Sequence, residues 1–131
     1  MRRVIAVPPS LPDEIGRVVA KLRTTQGAWL GAPLSGPFPS RAAAGRALAL
    51  TFAEAAQGIE DAALPAMPVW RPLPVLADLA VGDQVKVVAH DFLVALVAAP
   101  TLVWTPTGRI PVSELLSDVT ASVGEVARFL L

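Results

Sequence analysis

VGDQVKVVAHDFLVALVAAPTLVW, residues 81–104, is the stretch whose reading decides the fold. It contains the longest apolar run of the chain, Phe92 to Ala99, and the only histidine, His90, beside Asp91. At helical spacing, Val81, Val85, Val88, Phe92 and Leu96 form one stripe, and Ala89, Leu93 and Val97 form a second beside it. A helix that is apolar on two faces is buried on two faces. The stretch therefore predicts a central helix from about Val81 or Asp83 to Pro100, with other helices packed on it. A strand over GDQVKVV is the alternative, because Val85 and Val87 alternate with Lys86. Val88 breaks that alternation while the helical stripe runs on for four turns, so helix is preferred.

Three more helices follow from the same periodicity. Leu11, Ile15, Val18, Val19 and Leu22 predict a helix over 11–26, with Ser10 as its N-cap and Gly27 closing it. Ser40 caps a second over 41–62, whose stripe is Ala44, Leu48, Phe52, Ala55 and Ile59. Its many alanines favour helix intrinsically, and Gly45 and Gly58 read as tolerated costs. The last helix, from Val112 or Ser113 to Leu130, repeats apolar residues at three, four and seven and is the cleanest amphipathic signal.

Between these lie two connectors, 27–39, crowded with Gly and Pro, and 63–80, rich in Pro. Neither sustains a periodic helix, and the four prolines of 63–74 favour extended, partly polyproline backbone. Both connectors carry large apolar residues, including Trp29, Leu30, Leu34, Phe38 and Trp70, which predicts that they pack back on the helices. Residues 101–112 read either as a short β-hairpin around Thr105-Pro106-Thr107-Gly108 or as an irregular loop. The expected fold is mainly α: a single helical domain over 1–131, a bundle of about four helices with apolar Pro-rich connectors.

Composition bounds the function. The chain has 131 residues, of which 53% are hydrophobic and only 17% charged, with no net charge. A typical soluble domain has about a quarter of its residues charged. The shortfall predicts that another chain covers part of the surface; a compact monomer with an Ala- and Pro-rich surface is the alternative. A two-fold homodimer is the simplest cover, and the last helix is a candidate contact. No basic run extends beyond Arg2-Arg3, so no nucleic-acid footprint is present. The Arg and Ala excess resembles a GC-rich bacterial coding bias. The apolar start is too short for a secretory signal, and Phe92–Val103 is too short for a membrane span of about 20 residues. The expected location is the cytoplasm.

No motif names an activity. Cysteine is absent, which excludes thiol catalysis, disulfides and cysteine zinc sites. His90-Asp91 has no second histidine to complete a metal centre, and neighbours on a helix point about 100° apart. No metal, cofactor or catalytic residue is expected. The phosphate-binding glycine motifs and the nucleophile elbow are missing. Two readings remain: an interaction or structural protein that self-associates, and a small-molecule binding protein or enzyme whose pocket is lined by Trp70, His90, Trp104 and Arg109. The first is preferred, because large rings in connectors more often seal bundle ends or interfaces. The pocket reading requires those four side chains to converge on one cavity.

Overall fold

The computed structural model describes residues 5–131. Its elements are α1 (Ser10–Thr24), α2 (Gly27–Leu30), α3 (Arg41–Glu60), α4 (Val81–Leu96), β1 (Leu102–Thr105), β2 (Gly108–Pro111) and α5 (Val112–Leu130). A single 3₁₀ turn, Asp78–Ala80, leads into α4. The fold is mainly α, as the periodicities require, and the four long helices start and stop close to the predicted places.

The fifth helix, α2, lies inside a connector read as irregular. It is one turn long, and it forms because Leu30 is driven fully into the core while the amides of Trp29 and Leu30 find the carbonyl of Gln26. Trp29 itself stays 60% exposed, contrary to the expectation that this ring packs back. Phe38 does pack back, edge-on to Phe129 with centroids 5.3 Å apart. Ser40 caps α3 as predicted: its hydroxyl accepts from the amide of Ala43 at 3.0 Å. Ser10 is not a cap, because the turn begins earlier, at Pro8, whose carbonyl takes the amide of Leu11.

The long helices form a ring in the order α1, α4, α3, α5, around one core. The hairpin packs on α3. Thus α4 is not central: it touches α1 and α3 and keeps an outward face. Its first stripe, Val81, Val85, Val88, Phe92 and Leu96, is buried throughout. The second stripe is buried only at Ala89; Leu93 is half-buried and Val97 is exposed. The element with most neighbours is α3, which meets α4, α5 and β1. Small residues make this possible. A side chain at Gly45 would meet Val81 and Leu22 at 2.5 Å and 3.1 Å, and one at Gly58 would strike the backbone of Trp104. These glycines set how closely α4 and the hairpin approach, so they are required by the packing and not merely tolerated costs.

Residues 101–112 form the hairpin. Val103 pairs with Ile110 and Trp104 with Arg109, and Gly108 takes the positive φ that the turn demands. The amide of Val112 bonds to the carbonyl of Thr101 and hands the chain to α5.

The connector after α3 crosses the bundle as an extended strap. Proline-rich backbone lacks donors and cannot join a sheet, so its carbonyls need partners from side chains. The bundle supplies them at intervals. The indole Nε1 of Trp104 and the guanidinium of Arg109 both donate to the carbonyl of Leu64, at 3.2 Å and 2.6 Å. Gln57, buried in α3, donates to the carbonyl of Val69 at 2.8 Å and accepts from the amide of Arg71 at 2.9 Å. Gln84 donates to Pro74 at 2.8 Å, and Arg46 to Leu76 at 2.9 Å. Gln57→Ala is expected to cost about 1–3 kcal/mol, because it strands one acceptor and one donor of the strap. Amide hydrogen exchange at Arg71 should accelerate; unchanged protection there would mean that Gln57 does not hold the strap.

Candidate functional site

Three of the four residues read as a pocket come together, and one does not. Trp104 and Arg109 are cross-strand partners, and the guanidinium of Arg109 lies 4.2 Å from the centre of the Trp104 ring. Trp70 sits beside them: the position a side chain at Gly58 would take lies against the Trp104 backbone and 3.6 Å from the Trp70 ring. His90 is elsewhere, exposed on α4 where that helix faces α1. The donors of Trp104 and Arg109 are directed at Leu64, so this cluster fastens the strap to the hairpin. The indole nitrogen of Trp70 is buried without a hydrogen-bond partner among the described residues.

A small cavity of about 170 Å³ lies on the other side of the hairpin, between α3 and α5. Trp104, Leu115 and Val119 line it together with Glu54 and Asp118. Burial pushes the Glu54 carboxyl above its ordinary value. His90, Trp70 and Arg109 take no part in it. Among the described residues, no three His, Asp or Glu side chains gather as a metal would need.

A wider concavity, about 790 Å³, is the trough between α1 and α4. On the α1 side Ile15, Val19 and Arg23 line it together with the smaller Pro12, Gly16 and Ala20, and a side chain at Gly16 would meet nothing within 4 Å. On the α4 side it is walled by Lys86, Val87, His90 and Leu93. At the end where α4 begins, Arg23 and Asp83 form an ion pair at 3.1 Å. The outward face of α4, which shares Val87 with this wall, exposes Val87 (59%), Val94 (56%) and Val97 (81%). The strap beside it exposes Val75 (86%) and Leu79 (70%). Isolated exposed valines are ordinary, but these three lie along one side of α4, and Val87 borders Leu73 and Leu76 of the strap.

Sequence reasoning missed this face. Residues 81–97 are apolar in more than one helical phase, and the eye goes to the stripe that is buried. It named the edge of α5 as a candidate contact, since the outward residues of that helix, including Glu114, Ser117, Asp118 and Glu125, are polar. Among the described residues, no helix is long and apolar enough to cross a membrane. The chain matches no protein-family model, no curated protein and no solved structure.

Proposed function

We propose that this protein is an interaction module that self-associates through the outward face of α4 and the adjoining strap. Three exposed valines on one face of an otherwise well-packed helix carry the proposal. Covering apolar area on two faces at once yields roughly 25 cal/mol per Å² before the costs of association. A two-fold arrangement lets a single patch cover its own copy. The same cover accounts for the low charge content. The alternative, a small-molecule pocket around Trp70, His90, Trp104 and Arg109, has less support, because His90 lies apart and the two strongest donors are engaged by Leu64.

Sedimentation equilibrium at micromolar concentration tests the proposal. A dimer is expected, and Val94→Asp should return it to the monomer with unfolding unchanged, since an exposed position tolerates the substitution. A clean 13.6 kDa species for the wild-type chain at every concentration would overturn the proposal.

A further inference from the structure

The outward face of α4 carries more than apolar area. Asp83, Val87, His90, Val94 and Val97 succeed one another at spacings of four, three, four and three. All five are exposed. That alternation is the seam along which two helices pair, with Val87 and Val94 at one class of seam position and His90 and Val97 at the other. In this frame Lys86 flanks the seam on the side of α1, and Asp91 flanks it on the other side, five residues later, where it borders both the trough and the strap residues Arg71 and Leu73. Among the described residues, neither Lys86 nor Asp91 is in an ion pair, whereas Asp83 is already neutralised by Arg23.

The orientation follows from those two charges. When two helices pair in parallel, the residue flanking one side of the seam faces the residue five positions later on its neighbour. Lys86 then meets Asp91 of the partner subunit, and symmetry repeats the contact. In antiparallel pairing each flank faces its own kind instead, so Lys86 gains no carboxylate. β-branched residues at the Val87 and Val94 positions also suit a parallel pair, and His90 supplies one polar layer that holds the register.

The flanking surfaces agree. One face of a helix is narrower than a standard interface of about 800 Å² per partner, so neighbouring segments must contribute. Lys86 and Leu93 border the trough lined by Gly16 and Ala20. Gln84, on the other flank, borders the strap. Parallel pairing sets the first flank of one subunit against the second flank of the other. The trough thereby faces the apolar strap of the partner subunit. We infer that the protein pairs with a second copy of itself through a parallel two-fold α4–α4 seam, in the register that joins Lys86 to Asp91 of the partner subunit. This rests on the self-association proposed above and adds to it an orientation and a register.

The cysteine-free chain allows a direct test. In a parallel seam every residue at the Val87 and Val94 positions meets its own counterpart. Val87→Cys and Val94→Cys, made separately and exposed to a mild oxidant, should each shift the 13.6 kDa band to twice that mass on a non-reducing gel. Ser117→Cys, on the polar face of α5, should not. An antiparallel seam brings at most one of the two valine positions onto its own copy. A second arm reverses charge. Lys86→Asp and Asp91→Lys should each weaken the dimer about tenfold, and the double variant should recover it. If the wild-type chain sediments as a dimer but only one valine variant cross-links, or neither does, the parallel seam is wrong and self-association stands. Charge reversals without effect on a wild-type dimer overturn the register in the same way. A wild-type monomer overturns both readings.

Discussion

Truncating Phe92 to alanine is expected to lower the free energy of unfolding by about 3–5 kcal/mol in a denaturant titration. Phe92 is fully buried, and its ring lies against Phe52 of α3, with centroids 5.7 Å apart and planes tilted by 46°. The two rings fill the space between α3 and α4, the closest helix pair of the ring. Removing one leaves a void beside the other ring that the packed interior refills only in part. Leu96, one turn on and equally buried, should cost about 2–5 kcal/mol on the same substitution. Small domains hold only about 5–15 kcal/mol in total, so either change consumes a large part of it. A loss below roughly 1 kcal/mol for Phe92→Ala would mean that the inner face of α4 is not seated in the core.

Gly58→Ala is expected to be nearly as damaging, by the opposite route. Alanine is ordinarily the better helix residue, by about 1 kcal/mol. At position 58 its methyl would press on the carbonyl oxygen of Trp104, with the carbonyl carbon only 3.0 Å away. Both obstacles are backbone, so no rotamer change relieves them, and the hairpin must lift from α3. That displacement strains the bonds by which Trp104 and Arg109 hold Leu64. The expected net loss is at the upper end of the roughly 1–3 kcal/mol typical of overpacking. A shift in tryptophan fluorescence should accompany it, because Trp70 and Trp104 border the same glycine. Unchanged stability would show that the hairpin is not held at this distance from α3.

The Gly58 expectation was not available from the chain alone, and the reason is general. A glycine in a helical pattern reports only its cost in backbone entropy; the neighbour that needs the space lies far along the chain. The same holds for Gln57 and Gln84. In sequence they are polar residues on helices, and their value emerges only when a donor-poor strap crosses them. Trp104 and Arg109, two of the four residues read as a pocket lining, lie side by side on the hairpin, and Trp70 lies close to the same glycine of α3. His90 was grouped with them on residue type, and the packing of α4 on α1 carries it to a different surface.

What the sequence by itself determined is whatever local physics controls. The 3.6-residue apolar repeats of α1 and α5, the Ser40 cap, and the prolines that keep 63–74 extended all act within a few residues. They are the same in any tertiary context. What only the tertiary structure decided is how far around residues 81–97 the cover extends. The stripe from Val81 to Leu96 is buried as its periodicity marked it, whereas the row Val87, Val94 and Val97 is left open, although Val97 was expected to be covered. The burial of one depends on Gly45, Phe52 and Leu22, residues of other helices brought alongside by the fold. The exposure of the other follows because a ring of four helices gives α4 two neighbours and leaves its third side open.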